Sequence, residues 1–344
     1  MAAIAILLAA MVATGVLYQF AGVIRGARMW PPPGRMIDAD GHRLHVLCSG
    51  SGHPSVVFES GIAASSLSWT RVVPQVAAFT HCCAYDRAGL GWSEVARERR
   101  TLPRMIEELR TVLAGAGHGP YVLVGHSFGA LLVCAYASRR PEQIAGIVLL
   151  DPPSEWQQLT REQACMVWGG IQLSRIGAVL AQLGVVRACL AFLSGGAPQV
   201  PRTFVRVFGS TAARTLERLV GEVRKLPPDV HPTIQSLWCQ PKCFRAMADY
   251  LAALEETAAS AAGIAALPNV PVMIISGGDQ PPDTIARHRL LARLSPQGRH
   301  TVAAKSHHWI QFDEPDLVVA AIRDIVDQVR RGNTVVPSHN RLRP

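Results

Sequence analysis

Gly125-His126-Ser127-Phe128-Gly129 is a G-x-S-x-G run. A serine hydroxyl is a poor nucleophile at neutral pH. It becomes a useful one when a base takes its proton and fixed donors receive the developing oxyanion. Before the run stands Tyr121–Val124, a continuous apolar stretch that reads as a strand. After it comes an apolar helical stretch, "SFGALLVCAYASRR". Strand, sharp turn and helix in that order are what an exposed, strained nucleophile requires. Gly125 and Gly129 omit side chains that would clash around Ser127, and the helix that follows aims the positive end of its dipole there. A second stretch, "AAKSHHWIQFDEP" at 303–315, carries the adjacent His307 and His308. Taken alone, that pair fits a metal-binding fragment, a base beside a bystander, or a loop without chemistry. Cysteine supplies no alternative centre. Cys239 and Cys243 form a C-x3-C pair with no second pair at zinc spacing, so no metal is expected. Cys134 lies in an apolar helical pattern. Cys48 and the Cys82–Cys83 pair fall near strands, and the thiols are expected to be free.

The elements that must position these residues follow from periodicity. "RMIDADGHRLHVLCSG" reads as two strands joined by a tight turn at Asp40-Gly41. "SVVFESG", "HCCAYDRAGLGWS", "YVLVG" and "IAGIVLLDP" each hold a short apolar strand. Between the second and third of these, "TLPRMIEELRTVLAGAG" has helical spacing, with Met105, Leu109 and Leu113 on one face. Continuous apolar strands alternating with helices predict a mostly parallel, doubly wound sheet covered on both faces, an α/β fold. The rhythm breaks after Asp151. Residues 152–267 hold helical stretches, with Trp156, Trp168, Phe192, Phe204, Phe208 and Trp238, and no strand run. It resumes at "VPVMIISGGD", with a helix near Thr284–Leu294, a strand near His300–Val302 and a last helix at Pro315–Val329. An insertion of this kind between two strands predicts a helical cap over a site.

The chain has 344 residues, a net charge of +9 and 49% hydrophobic residues, but only 6% aromatic ones. No arginine-rich block is interleaved with stacking aromatics, so nucleic acid is not expected as a partner. From Ala2 to Ile24 there is no charged residue. As a helix these residues rise about 35 Å, enough for a hydrocarbon core of about 30 Å. The lack of a basic n-region and of a small-x-small cleavage site favours an uncleaved anchor over a signal peptide. Arg25, Arg28 and Arg35 follow the span, and the positive-inside rule then puts the catalytic part on the cytoplasmic face. The expected organisation is an anchor at 1–24, a Pro-rich connector at 25–35, core at 36–151, cap at 152–267, core at 268–331 and a disordered tail at 332–344.

Together the motifs resemble the α/β-hydrolase superfamily, in its serine-nucleophile esterase, lipase and haloperoxidase-like branches. "FESG", "YDRAGLGWS", "GHSFG", "LLDP", "SGGD" and "SHHWIQFDEP" occur in order at successive strand ends. The resemblance covers about 36–151 and 268–331, and the cap matches in position only. It implies Ser127 as nucleophile, His308 as general base and Asp279 as the acid, with Asp151 as the alternative acid. The backbone N–H groups of Phe128 and Ile62 would form the oxyanion hole, although Ser60-Gly61 departs from the family's usual His-Gly. His307 fills a slot where glycine is usual and is expected to be a polar loop residue. Asp86, Gly89 and Gly91 are expected to hold a turn. The implied enzyme is a membrane-anchored, cofactor-free carboxylesterase acting through an acyl-enzyme on a small ester. Acyl transfer, haloperoxidase-like chemistry and C–C hydrolysis run on the same triad. The apolar cap stretch "MVWGGIQLSRIGAVLAQLGVVRACLAFL" points to a lipophilic substrate or bilayer contact, or to a helix pair buried on the core. A non-catalytic, membrane-tethered binding protein is the reading from another class.

Overall fold

A computed structural model describes residues 1–153, 161–194 and 225–333. Trp156, Phe204, Phe208 and the tail from 334 lie outside them, as does the side chain of Phe192. The apolar runs become β3 (Ser55–Glu59), β4 (Cys82–Tyr85), β5 (Tyr121–His126), β6 (Ile144–Leu150), β7 (Val272–Gly277) and β8 (Gly298–Ala303). These pair in parallel, while β1 (Arg35–Asp38) and β2 (Arg43–Ser49) extend one edge antiparallel. The order across the sheet is β1-β2-β4-β3-β5-β6-β7-β8. The turn between β1 and β2 places both Asp40 (φ 58°) and Gly41 (φ 89°) in the left-handed region, as a two-residue hairpin of this hand requires.

Every residue of β3 to β6 is buried, and the period of two divides them between two cores. Val57, Leu123 and Ile147 face α3 (Leu102–Gly115) and α4 (Phe128–Arg139). Val56, Phe58, Val124 and Val148 face α2 (Val73–Ala77) and the last helix, which runs from Pro315 to Asn333 and contributes Ile322 and Ile325. α4 is buried at every position from Phe128 to Ala137, so it shows no amphipathic stripe. The cap covers it. Among the described residues the cap holds α5 (Arg161–Gln182), α6 (Val185–Ser194), α7 (His231–Trp238), α8 (Pro241–Ala252) and α9 (Leu254–Ala262), all between β6 and β7. Beyond β7 come α10 (Pro282–Ala292), α11 (Ile310–Asp313) and α12 (Pro315–Asn333).

The expectation of free thiols fails at one pair. Antiparallel pairing sets Cys48 directly opposite Cys83, and the two are joined as a disulfide. The preceding residue, Cys82, points to the other face and stays a buried thiol. The N-terminal helix α1 (Ala2–Met29) is apolar and largely exposed, and it is long enough to cross a bilayer. At its end, the Trp30 carbonyl accepts a hydrogen bond from Trp92 Nε1.

Candidate active site

The parallel strands end along one edge of the sheet, and each end delivers a group. β5 runs into Ser127, which has φ 52° and ψ −122°, values that a residue with a side chain rarely adopts. Its N–H is held by the Leu150 carbonyl at 2.9 Å. The turn is feasible because its flanks are bare. A Cβ on Gly125 would lie 2.8 Å from Ala130 Cα, and one on Gly129 would collide with the carbonyls of Glu59 and Ser60. Phe128 opens α4, where the N–H has no intrahelical acceptor.

The loop after β8 brings His308 over this serine, with Nε2 at 3.0 Å from Ser127 Oγ. The other ring nitrogen, Nδ1, is 2.7 Å from Asp151 Oδ2. Asp151 is the first residue after β6, with φ 41°, and its side chain is 1% exposed. Burial alone would raise its carboxyl. The hydrogen bond and charge of His308 and the Gly277 N–H outweigh burial and hold it below the ordinary aspartate value. The Gly277 N–H reaches Oδ1 at 3.0 Å, and Gln280 Nε2 donates to Oδ2. Asp279 does not reach His308. It faces His307 instead, with Oδ2 at 2.9 Å from Nδ1, and both side chains are more than half exposed. The strand-end position after β7 thus carries its carboxylate to the surface. The sharp backbone turn at Asp151 keeps that carboxylate in the site.

The loop expected to supply the Ile62 N–H follows β3. A Cβ on Gly61 would stand 3.6 Å from Ser127 Cβ and 2.9 Å from His126 Nδ1, so the backbone leading to Ile62 passes directly against Ser127. Arg87 holds this loop, which the sequence did not disclose. Its guanidinium is buried and donates to the Ser60 and Gly61 carbonyls and to the Glu59 carboxylate. It also lies over the Phe128 and Tyr250 rings. The neighbouring Asp86 accepts from the Ser66 and Trp92 N–H groups at 2.6 and 3.0 Å and pairs with His45 at 2.9 Å. That fixes the turn which Gly91 (φ 49°) completes.

His126 sits beneath the His308 ring. It is fully buried, its Nε2 is 2.9 Å from the His308 carbonyl, and its ring centroid is 4.8 Å from those of His308 and Trp309. Burial, reinforced by the nearby His308, lowers its pKa to about 3, so at neutral pH it is an uncharged ring. Nε2 then donates to the carbonyl, and Nδ1 has no hydrogen-bond partner among the described residues. For metal donors, the described residues bring Cys48, His81 and Cys83 within 4.8 Å of one another, but both sulfurs are spent in the disulfide.

Residues 54–165 match the family model described as the alpha/beta hydrolase fold. The uncharacterized protein YqjL of Bacillus subtilis is 36% identical over 104 residues, covering 30% of this chain and 41% of that protein. Lipase LipV of Mycobacterium tuberculosis is 36% identical over 110 residues, covering 32% of this chain and 41% of the lipase. The chain thus spans about two fifths of the length of these relatives. Among solved structures, the epoxide hydrolase CorEH superposes with a TM-score of 0.63 at 17% identity, over 86% of this chain and 99% of that one. At that identity the likeness concerns the fold.

Proposed function

The chain belongs to the α/β-hydrolase superfamily, and from that premise we propose that it is a serine hydrolase of carboxylic esters, with Ser127, His308 and Asp151 as its triad. The observation that carries the reading is the unbroken line from Asp151 through His308 to Ser127, at 2.7 and 3.0 Å. His308 Nε2 takes the Ser127 proton as Oγ attacks the acyl carbonyl. Asp151 accepts from Nδ1–H and stabilises the imidazolium that forms. The N–H groups of Phe128 and Ile62 receive the oxyanion, and His308 returns the proton to the leaving alcohol. Water activated by the same histidine then releases the acid. Asp151 takes the role that the strand-end pattern gives to Asp279. Epoxide opening by carboxylate attack, which the neighbouring epoxide hydrolase brings to mind, has no carboxylate at this elbow.

α1 serves as a membrane anchor in this reading. The Cys48–Cys83 disulfide favours an oxidising side of that membrane, against the cytoplasmic side to which Arg25, Arg28 and Arg35 point. Protease accessibility of the chain in sealed vesicles separates the two. A fluorophosphonate probe tests the enzyme. It should label the full chain and leave Ser127→Ala unlabelled; equal labelling of both, or of neither, returns the molecule to the binding-protein reading. p-Nitrophenyl esters of graded length then set the acyl range.

A further inference from the structure

α1 is packed on the cap over half its length. A Cβ on Gly15, Gly22 or Gly26 would collide with the Leu183 carbonyl, the Arg187 side chain or Ser236 Oγ, so α1 and the cap approach closely along this stripe. Gln19 lies in the same stripe and is 4% exposed. It donates from Nε2 to the Cys239 carbonyl at 2.8 Å and accepts from Arg187 Nε at 2.9 Å. What precedes Gly15 is residues 2–14, about 20 Å of helix at ~1.5 Å per residue. That falls short of the ~30 Å of a hydrocarbon core. A bilayer that α1 spans must therefore also take in the cap surface beside Gly15–Gly22.

That surface is built for it. Met166, Trp168, Ile176, Val179 and Leu180 of α5 and Val185 of α6 are all exposed, Trp168 by 64%. Trp168, Ile176 and Val179 are eight and three residues apart and so share one face of the helix. On the outer side of α1, Leu17, Phe20 and Ile24 continue the apolar surface past the packed stripe. On α6, Arg187 is turned inward along Gly22 to Gln19. The exposed Arg175 has a stem long enough to carry its guanidinium out of the layer. Between α1 and the start of α6 lies a groove of about 470 Å³, lined by Leu7, Met11, Tyr18, Leu183 and Val185.

We infer that the α5–α6 part of the cap is immersed in the hydrocarbon layer beside α1, so that its partner is the lipid bilayer. The inference rests on α1 being an anchor, and the test keeps the two apart. The full chain is reconstituted in phosphatidylcholine vesicles carrying a doxyl quencher either mid-chain or at the headgroup, and flotation is scored together with tryptophan emission. The Trp168 contribution is the difference between the wild type and Trp168→Phe. The chain should float, and mid-chain label should quench Trp168 several-fold more than headgroup label. A chain that floats with Trp168 unquenched keeps the anchor and overturns the immersed cap; water or a second copy then covers α5. A chain that does not float overturns both. The double variant Ile176→Glu/Val179→Glu should still float through α1 and still label at Ser127 with fluorophosphonate, yet lose the Trp168 quenching. Full quenching in that variant overturns the inference.

Discussion

Two histidines that are neighbours in sequence each face an aspartate, and the two pairs are alike in distance and unlike in everything else. His308 and Asp151 meet at 2.7 Å, His307 and Asp279 at 2.9 Å. The Asp151 side chain is 1% exposed and takes further hydrogen bonds from the Gly277 N–H and Gln280, whereas Asp279 is 51% exposed. A carboxylate held in a dry pocket by fixed donors fixes the ring opposite it in one tautomer and orientation. An exposed pair in water gains little Coulomb energy and spends side-chain entropy to form. Burial of the carboxylate, more than the contact itself, is what separates the pair proposed as catalytic from the surface one.

The largest break in that contrast comes at His308, the proposed base. His308→Ala should lower kcat for a p-nitrophenyl ester by about 10⁴- to 10⁶-fold, with the fold intact by circular dichroism. Next comes Asp151→Asn, which leaves the shape but offers His308 the wrong partner. Loss of the oriented tautomer should cost about 10³- to 10⁴-fold in kcat. The same variant tests stability. The Asp151 carboxyl is held below its ordinary value. The stability it supplies is complete above the unfolded aspartate value of about 3.9 and is lost as pH falls through the lower folded one. Acid unfolding of the wild type should therefore steepen in that window, and Asp151→Asn should lack that component.

His126 defines a second pH window, with the opposite chemistry and the same sign. Its folded value of about 3 lies below the ordinary 6.5. Between the two, the unfolded chain binds a proton that the folded chain refuses. Stability then rises with pH across the window, by at most about 1.4 kcal/mol per pH unit for one proton. Melting temperature measured from pH 4 to 7 should climb in the wild type. His126→Asn should flatten the climb, and an unchanged slope would remove the buried neutral ring from the account.

How far these features were legible depends on whether they are local. The elbow at Ser127 is local: strand, glycines and helix are adjacent in sequence, and backbone sterics do the rest. The succession of strands along the chain followed from apolar runs, because sheets covered on both faces have no polar alternation to obscure them. The choice between the two candidate acids was not local. Asp151 and Asp279 both follow apolar strands, and only the left-handed backbone at Asp151, with its carboxylate accepting the Gly277 N–H from the neighbouring strand, sets them apart. Arg87 was hidden for a similar reason. In "YDRAGLGWS" it reads as a charged turn residue, and its acceptors are carbonyls 26 and 27 residues away. The disulfide hung on a register, since Cys82 and Cys83 alternate faces and only the second lies opposite Cys48.

The smallest expected effect is the sharpest test of the comparison. His307 and Asp279 pair with a geometry close to that of the proposed His308–Asp151 pair, and His307 stands one residue from His308 on the same loop. If proximity of a carboxylate were enough, removing either should cripple the enzyme. If burial is what counts, His307→Gly and Asp279→Asn should each keep kcat within about fivefold of wild type, since exposed pairs are worth about 0–1 kcal/mol. His307→Gly adds backbone freedom beside the base, so the Asp279→Asn variant serves as its control: it removes the pair and leaves the loop alone. Losses of equal size in Asp279→Asn and Asp151→Asn would mean that the loop can exchange one aspartate for the other, and that the acid is shared rather than fixed by the strand end from which it grows.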